Sequence, residues 1–214
     1  MTFRIFIGRD PRQPLAYNVL ANSIVEHASV PVEITALSLK ALPIKRQGLT
    51  EFTFSRFLVP YLCGFKGTAL FLDADMVVTG DIKELFALAD GKSSAQVNKK
   101  QERFEWPSAM LFNCEHCTQL TPEYVDNPNN KMFDFAWANE IGEFPEEWNF
   151  CVPYSGNSDT AKLYHYTQGI PYWKETRGKP EDKFWFEAYK AMIHSVTFQE
   201  LMGNSVHIQK MKAV

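Results

Sequence analysis

Apolar positions along the first third of the chain switch between two periods. Phe3 to Ile7 is apolar on both faces apart from Arg4, as expected of a central strand in a parallel sheet. Gly8 to Pro14 breaks the pattern. From there Leu15, Ala16, Val19, Leu20, Ile24 and Ala28 recur at helical spacing, which predicts a helix that Pro31 stops. Val32 to Leu37 alternates as a second strand. Strand, loop, helix, strand is the opening of a doubly wound α/β sheet.

A second helical stretch places Phe54, Phe57, Leu58, Tyr61 and Leu62 on one stripe, with Pro60 set to kink or shorten it. Thr68 to Leu72 predicts a third strand that runs straight into Asp73-Ala74-Asp75. Past Met76-Val77-Val78, Gly80-Asp81 opens a helix with Asp81 and Glu84 at capping-box spacing and Ile82, Leu85, Phe86 and Ala89 as its buried face. The pattern loosens beyond residue 90. Lys92 to Glu105 is polar and predicts a loop, and Ala109 to Phe112 predicts a strand. Thr121-Pro122-Glu123 predicts a helix start, Pro128-Asn129-Asn130 a turn, and Phe144 to Tyr154 an irregular aromatic stretch. Ala161 to Tyr166 predicts a late strand, and a final helix runs from Pro180-Glu181-Asp182 through Phe184, Ala188 and Met192. The expected architecture is α/β, a Rossmann-like mixed, mostly parallel sheet flanked by helices. It forms one domain over 1–214, with a nucleotide-binding half to about residue 90 and a looser acceptor-side half after it.

Composition narrows the function more than the fold. With 45% hydrophobic and 22% charged residues the chain is globular rather than disordered. Its net charge of −3 argues against a nucleic-acid partner, which needs a basic surface. No apolar run reaches the roughly 18 to 20 residues that span a bilayer, and Met1 to Ile7 is too short and too interrupted for a secretory signal. Cys63, Cys114, Cys117 and Cys151 are too few and scattered for a disulfide scaffold, so a cytoplasmic location with reduced thiols is expected.

Asp73 and Asp75 carry the most chemical information. Carboxylates at i and i+2 on extended chain point to one side. A strand ending at the carboxyl edge of an open α/β sheet delivers them to the crevice where such folds bind ligands. Paired oxygen ligands there suit Mg²⁺ or Mn²⁺, which also accept phosphate oxygens from a substrate. His165 follows the segment Ala161-Lys162-Leu163-Tyr164, where an imidazole would complete the coordination. A solvated Asp-x-Asp turn and a structural histidine are the competing readings. Cys114-Glu115-His116-Cys117 is a lone Cys-x-x-Cys, better explained as buried thiols than as zinc ligands or a redox dithiol. Phosphate-loop, dinucleotide and nucleophile-elbow motifs are missing, which leaves kinase, dehydrogenase and hydrolase readings unsupported.

The segments SRFLVPYL, ALFLDADMVVTGDIKELF, SAMLFN and YHYTQGIPYW, in that order and spacing, resemble family 8 glycosyltransferases of the glycogenin and lipopolysaccharide-galactosyltransferase kind. The resemblance covers about residues 3 to 175 and is closest to a bacterial-type subgroup. It implies a GT-A fold and a retaining transfer of a hexose from a nucleotide-diphosphate sugar, UDP being the expected nucleotide, to an unidentified acceptor. By matched position it implies that Asp73, Asp75 and His165 hold Mn²⁺ or Mg²⁺, with Asp73 also contacting the ribose beside Ala74. Arg56 would reach the nucleotide-sugar, a solvated helix arginine being the alternative. Arg9 and Asp10, in the first strand-to-helix loop, would hold the nucleobase.

The chain also departs from that family pattern. Gly169-Ile170-Pro171-Tyr172-Trp173 lacks the Lys that follows the metal His, leaving Lys174 or Arg177 to supply a cation. Trp106-Pro107-Ser108 replaces the usual Asn-x-Gly. Glu140, Glu146, Glu147 and Asn149 stand only by location where relatives place sugar-facing acids, and Glu147 is the candidate catalytic acid among them. Retention through a covalent intermediate needs a nucleophilic carboxylate. None is identified by spacing, so front-side displacement is the preferred mechanism. A non-catalytic descendant that binds a nucleotide-sugar or a partner is the alternative function. Nucleotidyl transfer is a weaker one, because the Gly-rich basic first loop it needs is missing.

Overall fold

The computed structural model describes residues 2–193; the rest of the expected domain, 194–214, lies outside the described residues. In chain order the elements are β1 (Phe3–Gly8), α1 (Pro14–His27), β2 (Val32–Leu37), α2 (Phe52–Ser55), α3 (Val59–Leu62), β3 (Thr68–Leu72), β4 (Met76–Val78), α4 (Ile82–Ala87), β5 (Ala95–Val97), β6 (Ala109–Asn113), α5 (Pro122–Asp126), β7 (Ile141–Glu143), β8 (Phe150–Val152), β9 (Leu163–Tyr166) and α6 (Asp182–Ile193). Short 3₁₀ turns fill several of the gaps.

The main sheet runs β2-β1-β3-β6-β5-β7. β1 pairs in parallel with β2 and β3, β6 runs antiparallel to β3 and β5, and β7 returns parallel to β5. Ile5, Ile7, Leu70, Phe71 and Leu72 are fully buried, which explains why β1 and β3 read as continuous apolar runs. α1 turns Ala16, Val19, Leu20 and Ile24 inward and packs on β4 and α6. At the end of β1 the backbone comes so close to Phe52 that a Cβ on Gly8 would meet its ring at 2.4 Å, so glycine is required there. A second, small sheet of order β4-β9-β8 lies beyond the end of β3. It is what positions the site.

Several elements differ from expectation. Lys92 to Glu105 is not simply a loop: it holds β5, whose three residues are all buried. The strand hides in a polar run because its polar groups are satisfied. Gln96 Nε2 donates to the carbonyls of Leu88 and Glu143, and Asn98 Nδ2 donates to that of Asn149. The irregular aromatic stretch contains a 3₁₀ turn at Glu146–Trp148 followed by β8. The helix around Pro60 splits into α2, a 3₁₀ turn at Arg56–Leu58 and α3, with Pro60 in the first turn of α3, where it costs no hydrogen bond. The split rotates Val59 inward and leaves Tyr61 and Leu62 exposed, against the predicted stripe. α4 ends at Ala87, so Ala89 is exposed. Asp81 caps it by accepting from Lys83 N, but Glu84 reaches Lys162 Nζ at 2.6 Å instead of closing the box.

Leu70 sits at the centre of β3 with no exposure and neighbours on both sides. Leu70→Ala is expected to lower unfolding free energy by about 2 to 5 kcal/mol, measured by urea denaturation. A loss below about 1 kcal/mol would mean the central sheet is not packed as described.

Candidate active site

β3 ends at Leu72, yet the chain stays tied to the sheet because Asp73 N donates to Ser108 O at 2.8 Å. Ala74 is buried, and at Met76 the chain enters β4. β4 pairs antiparallel with β9 in a register that sets Met76 opposite His165, and Tyr166 N donates to Asp75 O at 2.9 Å. This crossing brings together residues some ninety positions apart. Asp75 Oδ1 lies 3.5 Å from His165 Nε2. One ligand atom each from Asp73, Asp75 and His165 falls within 4.8 Å of the others. His165 lies inside β9, within the span of the predicted late strand, and it is buried.

Arg56 is buried too, which excludes the solvated reading. Its Nη2 lies 3.0 Å from Asp73 Oδ1, its Nη1 donates to Pro107 O, and its Nε donates to Phe52 O. Asp73 Oδ1 nonetheless has no partner with hydrogen-bond geometry among the described residues. Burial pushes the Asp73 carboxyl up to about 7; the Arg56 charge opposes this and the nearby Asp75 charge adds to it. Burial acts to depress the His165 imidazole, but the Asp75 carboxylate at one edge and Cys151 at the other together outweigh it and hold the ring well above its ordinary value. Two carboxylates, one with a hydrogen-bond-free buried oxygen, and an imidazole nitrogen form a donor set that fits a hard or borderline divalent cation. Seating a cation there would displace protons from groups that hold them too tightly.

On the far side of the ring, His165 Nδ1 faces Glu105 Oε2 and Cys151 Sγ, both at 3.7 Å. Glu105 sits in the 3₁₀ turn Arg103–Ser108, and burial raises its carboxyl while His165 opposes the rise. No spacing in the sequence marks either residue as a neighbour of His165, because both arrive through tertiary contact.

The remaining candidates are placed differently. Asp10 is buried and its carboxylate is occupied by Arg12, which donates through its backbone N, Nε and Nη2; that guanidinium holds the Asp10 carboxyl below its usual range against burial. The loop with Arg9 and Asp10 borders a cavity of about 230 Å³ closed on its other side by Gln47–Glu51. Arg9 is half-buried and its backbone N donates to Leu37 O. Glu147 stands in neither candidate cluster among the described residues. The 3₁₀ turn buries Trp148 and directs Glu147 to Lys162, 3.1 Å away, which also holds Glu84. Glu146 accepts from Gln101 Nε2, Glu140 is exposed, and Asn149 is buried with its Nδ2 on Ser108 Oγ. Arg177 donates to the carbonyls of Pro171 and Tyr172, bracing the turn after His165. Cys114 and Cys117 are buried thiols, and burial pushes Cys117 up to about 12. Among the described residues, no helix is long and apolar enough to cross a membrane.

Comparison with known proteins places this geometry in context. Residues 13–121 match the model of Glycosyl transferase family 8. The chain is 35% identical over 223 residues to Protein CDI of Arabidopsis thaliana, covering 88% of this chain and 81% of that protein. Glycosyltransferase GlyE of Streptococcus pneumoniae serotype 4 (strain ATCC BAA-334 / TIGR4) is 21% identical over 191 residues, 74% of this chain and 46% of its own length. The crystal structure of GlyE superposes with a TM-score of 0.66 at 15% identity, covering 91% of this chain. The chain spans 63% of the GlyE chain in that structure. The galactosyltransferase LgtC, crystallised with donor and acceptor sugar analogues, superposes with a TM-score of 0.59 at 12% identity, covering 93% of this chain and 98% of LgtC.

A carboxyl that keeps its proton to about pH 7 when folded, against 3.8 when exposed, makes the folded state bind more protons than the unfolded one between those values. Stability of the metal-free protein is therefore expected to fall as pH rises from about 4 to about 7, and Asp73→Asn to flatten that fall. The raised His165 loses stability in the same direction at higher pH, so the difference between the two proteins isolates Asp73. Melting temperatures measured across this range in the presence of a chelator decide it. Parallel curves would contradict the buried, protonated Asp73.

Proposed function

Because this chain belongs to glycosyl transferase family 8, whose members transfer a sugar from a nucleotide-sugar donor to an acceptor, we propose that it moves a hexose from a UDP-sugar with net retention. The cation would be held by Asp73, Asp75 and His165. The observation that carries this reading is the meeting of Asp75 with His165 across β4 and β9 beside the orphaned oxygen of Asp73.

A bound Mn²⁺ or Mg²⁺ would act as a Lewis acid on the departing diphosphate. The chain's own residues supply the rest. Arg56, anchored on two backbone carbonyls, fixes the orientation of Asp73 and would contact the nucleotide-sugar from there. Buried Ala74 ties down the backbone between the two aspartates, which would meet the ribose there. Asp10, locked by Arg12, lines the cavity after β1, and Arg9 precedes it in the same loop, where the base would lie. Glu105 lies against the opposite edge of the His165 ring from Asp75, which leaves Nε2 aimed at the cluster. With Glu147 engaged by Lys162, front-side displacement remains the preferred route. The acceptor oxygen bonds to the anomeric carbon, the bond from that carbon to the diphosphate oxygen breaks, and the acceptor proton passes to the departing oxygen.

Hydrolysis or transfer from UDP-glucose and UDP-galactose with Mn²⁺ tests the proposal. Asp75→Asn and His165→Ala are each expected to lower turnover by about 100-fold or more, since loss of groups merely supporting a metal ligand already costs 10- to 100-fold. Chelation should abolish turnover and added Mn²⁺ restore it. UDP binding without turnover in the wild type, or full activity under chelator, would contradict the proposal.

A further inference from the structure

His165 has donors on both edges of its ring, and those beyond Nδ1 differ in kind from those facing Nε2. Glu105 Oε2 and Cys151 Sγ each stand 3.7 Å from Nδ1, and one ligand atom from each of the three residues lies within 4.8 Å of the others. At 3.7 Å the carboxylate is too far to accept an N–H···O hydrogen bond from the ring. The Cys151 thiol is held loosely as well, its contacts to Asn149 O and Oδ1 being 3.6 and 3.8 Å long. Tetrahedral zinc binds thiolate sulfur at about 2.3 Å and imidazole nitrogen or carboxylate oxygen at about 2.0 to 2.2 Å, which sets neighbouring ligand atoms about 3.3 to 3.6 Å apart. The spacing around Nδ1 is therefore close to that of three ligands on one ion and longer than that of direct hydrogen bonds.

The donor types select the ion. A thiolate is a soft ligand that suits zinc and is a poor partner for Mg²⁺ or Mn²⁺. Thiolate and carboxylate together cancel the charge of Zn²⁺ beside a neutral imidazole. The donors also stand on fixed backbone. Cys151 and His165 are register partners across β8 and β9, Cys151 N donates to Ser155 Oγ, and Ser108 Oγ donates to Glu105 O. Glu105 borders a cavity of about 410 Å³ shared with Gln101, Phe104 and Tyr154, which gives an ion a way in and a water room to take the fourth position. Cys114 and Cys117, the pair that sequence spacing marks, join no three-donor cluster among the described residues, and Cys117 Sγ donates to the carbonyls of Ser94 and Asn113.

We propose that Glu105, Cys151 and His165 Nδ1 form a zinc site, separate from the Asp73–Asp75 centre, and that zinc bound there withdraws His165 from that centre. Zinc replaces the Cys151 thiol proton and the ring proton on Nδ1, and both protons leave to water. The neutral ring keeps its one remaining proton on Nε2, which then donates toward Asp75 and has no lone pair for a cation there. The zinc site stands on its own donors. The withdrawal rests on the proposed function, which gives Nε2 to a cation.

Titration of the full chain with Co²⁺, read by thiolate-to-cobalt charge-transfer absorption, tests the site together with Zn²⁺ competition against a fluorescent chelator. One equivalent of Co²⁺ is expected to give the band and Zn²⁺ to remove it. Cys151→Ala should abolish the band and Asp75→Asn should keep it, while Glu105→Gln, which preserves the side chain's shape, should weaken zinc binding by about tenfold or more. No thiolate band in the wild type, a band that survives Cys151→Ala, or zinc affinity unchanged in Glu105→Gln would overturn the site. Electron paramagnetic resonance of Mn²⁺ bound with UDP reads the withdrawal. One equivalent of Zn²⁺ should release Mn²⁺ from the wild type, and Cys151→Ala should need about 100-fold more. Equal release from both proteins would overturn the withdrawal, by assigning the competition to Asp73 and Asp75. No Mn²⁺ bound before zinc is added would overturn the proposed function, and the withdrawal with it, and leave the zinc site standing.

Discussion

The site depends on a three-residue pairing. β4 and β9 meet only over Met76–Val78 and Leu163–His165, yet this short antiparallel ladder fixes where the Asp75 carboxylate and the His165 ring lie relative to each other. Side chains alternate along a strand, so a slip of one residue would turn His165 to the opposite face and put Tyr164 or Tyr166 in its place. The register is protected by burial: every residue of β4 and β9 is inaccessible, and β8 clamps β9 from its other edge with Cys151 opposite His165. A small sheet with little area of its own thus inherits its precision from α1 and α6, which pack on β4.

The second constraint is electrostatic. Asp73, Asp75 and Glu105 place three carboxyls around one buried imidazole, with Arg56 the guanidinium that contacts Asp73. Burying acids side by side is costly, and the protein answers without a cation by keeping Asp73 protonated into the neutral range. Such an arrangement is poorly suited to stability alone, since an apolar set of similar volume would avoid the cost. It suits a place where positive charge arrives with a ligand. The same logic separates Glu147, which forms a half-exposed ion pair with Lys162 and stays outside this field.

Much of this was legible before any coordinates. β1, α1, β2 and β3 declare themselves because, Arg4 apart, their apolar residues keep one period, and Asp73 and Asp75 stand out because they end such a run. Other parts were not legible, for identifiable reasons. β5 is buried through hydrogen-bonded polar residues, so hydrophobic periodicity misses it. The rotation at Pro60 that buries Val59 and exposes Tyr61 comes from a 3₁₀ turn that shifts the helical phase. The sequence leaves Arg56 open between a ligand contact and a solvated helix arginine, because only tertiary structure supplies the carbonyls of Phe52 and Pro107 and the carboxylate that let it be buried. Glu105, Cys151, Phe104 and Tyr154 come together from segments that share no motif.

The proposed chemistry needs one cation seated between Asp73, Asp75 and His165. Anomalous diffraction at the manganese edge, from crystals grown with Mn²⁺ and UDP, tests it most directly. A single strong peak is expected about 2 to 2.5 Å from oxygens of Asp73 or Asp75 and from His165 Nε2, with diphosphate oxygens completing the shell. A nucleotide bound with no anomalous peak at these side chains, or a peak held elsewhere, would contradict it.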